Sequence, residues 1–324
     1  MVTKSVAIVG TGQIGRRHLE SLARSEMQLI VYAVEPFSSA LIQAKEIVQK
    51  TTSGCSRLVC CQNIHDLPDA LDLVIVATTA DVRRFAVEEL LRGRRIPFLI
   101  LEKVVFQDAD SFSAVQRLIQ EKKVQTWVNC PMRLHPFFRH LKEKMRLASR
   151  VTYHASGTRL GLGSNSIHHL DLFAYLTKHP IEQLFAEDLD PVVHPAKRPG
   201  FVEFTGTLRG RSSNGSITIT SYDREGTPLT LFLDSDILRC AVHPLEGYVW
   251  LADERTGWRW ERKDYPVLLQ SQLTSRIVKD ILTNGRSDLP TFEESLRLHL
   301  PLLRVLGEHH SQVTKKGGSV CPIT

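Results

Sequence analysis

Two hydrophobic periods alternate over the first 130 residues. Apolar runs occupy residues 6–9, 29–34, 58–61, 73–77, 98–101 and 126–128, and amphipathic stretches at 16–24, 41–49, 82–92 and 112–121 separate them. A short run that is apolar at nearly every position fits a strand covered on both faces, whereas spacing of three and four residues marks a one-sided helix. Strand and helix in alternation predict a doubly wound α/β domain around a parallel sheet.

The pattern changes after Pro131. A helix is expected over 136–147, a strand over 151–155, a glycine-rich loop containing Gly157, Gly161 and Gly163, then an apolar-faced helix over 167–176. Short turn-bounded segments follow at 202–208, 216–222, 229–233, 238–242, 248–251 and 258–261. Asn214-Gly215 and Glu225-Gly226 are turn signals that suit antiparallel pairing. Helices over 266–282 and 293–310 close the chain. A length of 324 residues exceeds what one core usually organises, so two domains are expected, 1–130 and 131–324, the second α+β with a mostly antiparallel sheet.

Composition narrows the classes. With 42% hydrophobic and 23% charged residues the chain reads as soluble and globular. No apolar stretch approaches the roughly 20 residues needed to span a bilayer. The first strand begins so close to Met1 that no secretory leader is expected, and a cytoplasmic location follows. Six cysteines lack C-x-x-C spacing and read as reduced thiols, so no metal is expected. The net charge of +6 suits an anionic substrate or simple solubility. Basic clusters at Arg16-Arg17, Arg92 with Arg94-Arg95, and Lys315-Lys316 are short and not interleaved with aromatics, which argues against a nucleic-acid partner.

The sharpest local signal is Gly10-Thr11-Gly12-Gln13-Ile14-Gly15, placed directly after one expected strand and before a helix. In such a motif Gly10 permits the tight turn, Gly12 admits a pyrophosphate to the backbone, and Gly15 allows close helix–strand packing. The amides of Gln13 and Ile14 then open a helix whose N-terminus attracts phosphate. Glu35 ends the second expected strand, where a carboxylate accepts bonds from ribose hydroxyls and repels a 2′-phosphate. NAD is therefore favoured over NADP, with Ser38 and Ser39 keeping the phosphorylated form open. Thr78 and Thr79 follow the fourth expected strand and are expected to border the nicotinamide ribose. Residues 1–130 thus read as a dinucleotide-binding Rossmann domain.

Two further motifs carry chemistry. Glu102-Lys103 follows the run at 98–101, so Lys103 emerges at the carboxyl edge of the sheet, where it is either a hydrogen-bond donor to a substrate oxygen or an ordinary surface lysine. His168 and Asp171 stand three apart and share a helix face. A neutral imidazole there suits proton exchange with a hydroxyl, its ordinary pKa lying near 6.5; a buried structural histidine is the competing reading. Asp171 would orient the ring or bind hydroxyls, and His169, about 100° around the helix, would pack.

Gly10–Gly15, Glu102-Lys103 and His168-x-x-Asp171 together resemble the motifs of the Gfo/Idh/MocA oxidoreductases, over essentially the whole chain. The resemblance implies an open-faced C-terminal sheet that makes dimer or tetramer contacts, Lys103 as the family's lysine, and His168 as its catalytic histidine. Glu102 and Lys103 would also border the cofactor. Val104 stands where the family usually has proline, and Ser164 where many members have Asp, with Asn165 as a replacement partner for a sugar hydroxyl. Residues 128–133 and 165–171 resemble a branch linked to bacterial surface-sugar biosynthesis. That implies a sugar nucleotide, amino sugar or nonulosonic acid as substrate, with Asn129, Asn165 and Asp171 lining its pocket. Arg133 and Arg159 would meet its anionic group or serve as structural ion-pair partners. The expected activity is NAD-dependent hydride transfer at a secondary hydroxyl. The alternatives are an internal redox cycle (epimerase, lyase or glycosidase) and a non-catalytic NAD or sugar sensor.

Overall fold

The computed structural model describes residues 3–51, 56–316, 318 and 320–324, so the expectation for Cys55 lies outside the described residues. In the first part of the chain, β1 (Lys4–Val9), α1 (Gln13–Ala23), β2 (Leu29–Val34), α2 (Ser38–Gln49), β3 (Ser56–Cys61), β4 (Leu73–Val76), α3 (Ala80–Gly93), β5 (Phe98–Leu101), α4 (Ala109–Lys122) and β6 (Gln125–Val128) follow one another. The strands form one sheet in the order β3-β2-β1-β4-β5-β6, every pair parallel. Val6, Ala7, Ile8 and all of β4 are buried, which is why these strands read as continuous apolar runs.

Register fixes where chemistry appears. Val9 pairs with Val34 and with Val76, Val76 with Leu101, and Leu101 with Val128. The strands therefore end level, and Gly10, Glu35, Ala77, Glu102 and Asn129 all follow at the same carboxyl edge. The strand order reverses between β1 and β4, the position where open α/β sheets take ligands.

The chain divides into two compact units, Met1–Pro131 with Leu268–Phe292, and Met132–Val267 with Glu293–Thr324. Where the sequence suggested a single boundary after residue 130, the helix Gln270–Asn284 belongs with the first unit. It buries Leu273, Ile277, Val278 and Ile281, and the Ser275 amide donates to Ser21 Oγ of α1 at 2.8 Å. Thr291 then bridges Trp127 of β6.

The second unit holds α5 (Pro136–Met145), β7 (Val151–Thr158), α6 (Leu162–Thr177), β8 (Gln183–Pro195), β9 (Val202–Ser212), β10 (Gly215–Tyr222), β11 (Thr230–Ser235), β12 (Leu238–His243), β13 (Tyr248–Asp253) and β14 (Glu261–Asp264). The helix Gln270–Asn284 is α7, and α8 (Phe292–Thr314) ends the fold. The eight-stranded sheet runs β14-β13-β12-β11-β7-β10-β9-β8, antiparallel except for β7 beside β10. α6 covers one face, where buried Tyr153 of β7 meets His169 and Phe173.

Three expectations for this unit need correction. Gly157 lies in β7 and Gly163 in α6, so the glycine-rich stretch is mostly regular structure around Gly161, whose φ of 75° starts the helix. β8 was not expected, because Pro191 and the acidic residues Glu187, Asp188 and Asp190 break its alternation; as an edge strand with register shifts it tolerates both. The last strand begins at Glu261, after a 3-10 turn at Glu254–Thr256, rather than at Trp258.

Candidate functional site

The glycine turn is built by sterics. Gly10 has φ +90°, and a Cβ on it would stand 2.9 Å from the Thr78 nitrogen; a Cβ on Gly15 would stand 1.9 Å from the Gly10 carbonyl oxygen. Only glycine fits either place. A Cβ on Gly12 would meet nothing within 4 Å, so the backbone there faces open space. α1 has no side-chain cap, leaving the first-turn amides around Gln13 and Ile14 to an outside acceptor.

Glu35 is buried and accepts from the Thr11 amide at 2.9 Å through one oxygen and from the Phe37 amide at 3.5 Å through the other. A carboxylate has about four acceptor positions, so it retains capacity for hydroxyl donors. The hydroxyls of Thr11 and Thr78 are buried with no protein partner. Buried polar atoms are normally satisfied, so two orphaned hydroxyls beside an open glycine turn fit a polar ligand. Thr79 is the N-cap position of α3, and its side chain makes no cap bond. Ser38, which kept NADP open, accepts from Gln62 at 3.0 Å. These residues fit NAD.

At the same edge Glu102 is buried in a polar network. Its Oε1 lies 2.8 Å from His18 Nε2 and accepts from Asn129 Nδ2. His18 Nδ1 lies 2.8 Å from Thr274 Oγ1, and Asn129 Nδ2 also donates to Gln270 at 2.9 Å. Burial pushes the Glu102 carboxyl up, but His18, Asn129 and the Lys103 charge together hold it below its ordinary value. Lys103 follows, half-buried, with a cis peptide to Val104. Asn129, expected beside substrate, is engaged with Glu102, while its Oδ1 is buried and unpartnered.

In the second unit α6 presents His168, Asp171 and Tyr175 along one face. Glu203 of β9 anchors its start, accepting from the Gly163 amide at 2.7 Å and the Ser164 amide at 3.1 Å. Asn165 donates to the Leu160 carbonyl at 2.7 Å. His168 is half-buried, whereas His169 is buried, with Nδ1 2.7 Å from the Tyr153 hydroxyl. Burial lowers the His169 pKa to about 4.

Arg133, expected either to meet an anionic substrate group or to serve as a structural ion-pair partner, takes the second part, and its partner is Asp171, which was expected to orient the His168 ring or bind hydroxyls. Arg133 Nε donates to Asp171 Oδ2 at 2.9 Å and Nη2 to Oδ1, with both residues buried. Either charge alone would cost several kcal/mol to bury. Burial raises the Asp171 pKa to about 6, against the pull of Arg133. The Arg133 guanidinium also lies 4.8 Å from the Tyr175 ring centre. Arg159 sits at the surface, 3.2 Å from Glu225.

His18, Arg83 and Glu203 escaped the sequence reading. His18 and Arg83 each fall on the buried face of their helix, with Leu19 and Leu22, and with Val87 and Leu90. A polar residue in an apolar stripe was the available signal. Glu203 had none, since it acts 40 residues from Gly163. Among the described residues no group of three His, Cys, Asp or Glu side chains is placed to hold a metal ion, and no helix is long and apolar enough to cross a membrane.

Comparisons with known proteins agree with this fold. The fold is similar to UDP-N-acetylglucosamine 3-dehydrogenase GnnA from Acidithiobacillus ferrooxidans, with 14% identity, TM-score 0.70, and coverage of 94% of this chain and 97% of that one. It is also similar to the transcriptional regulator Gal80p from Kluyveromyces lactis, with 14% identity, TM-score 0.72, and coverage of 97% and 92%. A third similar structure is an oxidoreductase from Agrobacterium radiobacter in complex with NAD+, L-tartaric acid and magnesium, with 12% identity, TM-score 0.69, and coverage of 92% and 94%. A search of curated proteins found no match. Residues 4–130 match the Gfo/Idh/MocA model, described as an oxidoreductase family with an NAD-binding Rossmann fold. Over residues 4–130 the chain is thus a Gfo/Idh/MocA-type NAD-binding Rossmann domain.

Proposed function

We propose that the protein is an NAD-dependent oxidoreductase acting on a secondary hydroxyl of a sugar or sugar derivative. The observation that carries the cofactor choice is Glu35, a buried carboxylate at the end of β2 tied to the Thr11 amide of the glycine turn. It accepts ribose hydroxyls and repels a 2′-phosphate. Bound NAD supplies the hydride acceptor. Lys103 donates a hydrogen bond to the reacting oxygen, and His168 takes the hydroxyl proton as the C–H bond is broken; in reduction both transfers reverse. Ser164 and Asn165, on the first turn of α6, are the hydroxyl-recognising positions in this reading. The substrate classes it favours are sugar nucleotides, amino sugars and nonulosonic acids.

The test is absorbance of NADH with purified protein, NAD or NADP, and a panel of those sugars with inositols. Turnover with NAD is expected for one class, and Lys103→Ala or His168→Ala should reduce kcat by about 100-fold or more, the range for loss of an acid/base group. Glu35→Ala should narrow the preference for NADH over NADPH in fluorescence titrations. The likeness to a transcriptional regulator favours one second reading, a sensor that binds NAD without turnover. NADH binding with no net oxidation or reduction of any panel member would move the reading to this sensor or to an internal redox cycle.

A further inference from the structure

Arg83 is a large charged side chain only 1% exposed, on the buried face of α3. Its neighbour Arg84 shows the ordinary fate of an arginine on such a helix, half-exposed and paired with Glu88 at 2.9 Å. Arg83 instead turns its guanidinium to the backbone. Nη1 donates to the carbonyl oxygens of Val104 and Val105, the latter at 2.9 Å, and Nη2 donates to that of Thr78. Those carbonyls belong to the two loops that leave adjacent strands, β4 and β5, at the ligand edge of the sheet. Thr78 is in turn the residue against which Gly10 packs.

Lys103 lies between two fixed points. On its N-terminal side the Glu102 carboxylate is held by His18 and Asn129. On its C-terminal side the next two carbonyls are held by Arg83. The planar guanidinium, with five donors in a rigid fork, can serve three acceptors at once, which an ammonium on a flexible stem does less well.

We propose that Arg83 is the positioning residue for Lys103, its guanidinium locking the backbone that follows the lysine to the Thr78 loop and so setting where the ε-amine lies. This rests on the role given to Lys103 above, and the readout is chosen to be independent of any substrate. Lysine amines of the intact protein, with NAD bound, are competitively labelled with acetic anhydride across a pH series, and Lys103 is compared with exposed Lys123 by peptide mass spectrometry. In Arg83→Lys and in Arg83→Gln, which keep some donors, the Lys103 labelling midpoint and rate should move while those of Lys123 stay in place. Where a substrate is known, kcat should fall by about 100-fold, the cost of misplacing a catalytic group by around an ångström, and millimolar guanidinium should restore part of it in Arg83→Gly. Unchanged Lys103 labelling in a folded variant would overturn the proposal. So would unfolding of both conservative variants, which would assign Arg83 to the fold alone. A wild type without turnover on any sugar, but with Lys103 labelling that depends on Arg83, would sink the proposed function and leave this inference standing.

Discussion

At the scale of single residues, burial divides neighbours that look alike in sequence. His168 and His169 are adjacent, yet only His169 is sealed against Tyr153, and desolvation lowers its pKa from 6.5 to about 4. A depressed folded pKa means that the unfolded chain takes up the proton first. The stabilising contribution is therefore complete above about pH 6.5 and disappears as pH falls towards 4, an effect on the order of 3 kcal/mol. Asp171 works in the opposite sense: its pKa, raised from 3.8 to about 6, gives a contribution present at low pH and lost as pH rises through about 6. Urea denaturation of wild type and His169→Gln between pH 4 and 6.5 should show a stability difference that changes by roughly this amount. A constant difference would mean His169 is not held neutral. The positions of His168, His169 and Asp171 on one helix were legible from spacing. The Arg133 partner of Asp171 was not, since nothing local brings residues 133 and 171 together.

At the scale of elements, α6 depends on a contact outside itself. Gly161 at its N-cap position offers no side-chain acceptor, and Glu203 from β9 supplies both a hydrogen-bond acceptor and a negative charge at the positive end of the helix. Glu203→Ala should cost about 1 kcal/mol, read as a lower thermal midpoint, with Glu203→Gln recovering part of it. No change would mean that water caps these amides equally well. Periodicity identified the core of α6 but placed its start at residue 167 rather than Leu162, because a helix opening with Gly163, Ser164 and Asn165 has poor intrinsic propensity and borrows its stability from the sheet. The six strands of the parallel sheet were easier, since burial on both faces writes itself into the sequence as an unbroken apolar run.

At the scale of the whole molecule, the eight-stranded sheet leaves the face opposite α6 uncovered within its unit. One cross-strand row on that face runs Arg209, Thr218, His154, Phe232, Ala241, Trp250 and Arg262. Phe232 is 45% exposed and Trp250 37%, an apolar centre with arginines at both ends. We propose that this face joins copies of the chain into a homodimer or homotetramer. Light scattering should give an oligomer for the wild type and a smaller species for Phe232→Arg with Trp250→Arg. A wild-type monomer would refute the proposal.

The sequence by itself determined the layers, the parallel sheet, the glycine turn with Glu35, and the placement of Lys103 at a strand end. Each of these follows from local periodicity or from sterics within a few residues. Tertiary structure alone decided the return of α7 to the first unit and the edge strand β8. It also decided the pairing of Arg133 with Asp171, the Glu203 cap, and the burial of His18 and Arg83. These last depend on charges that can be buried only when a partner distant in sequence arrives to satisfy them.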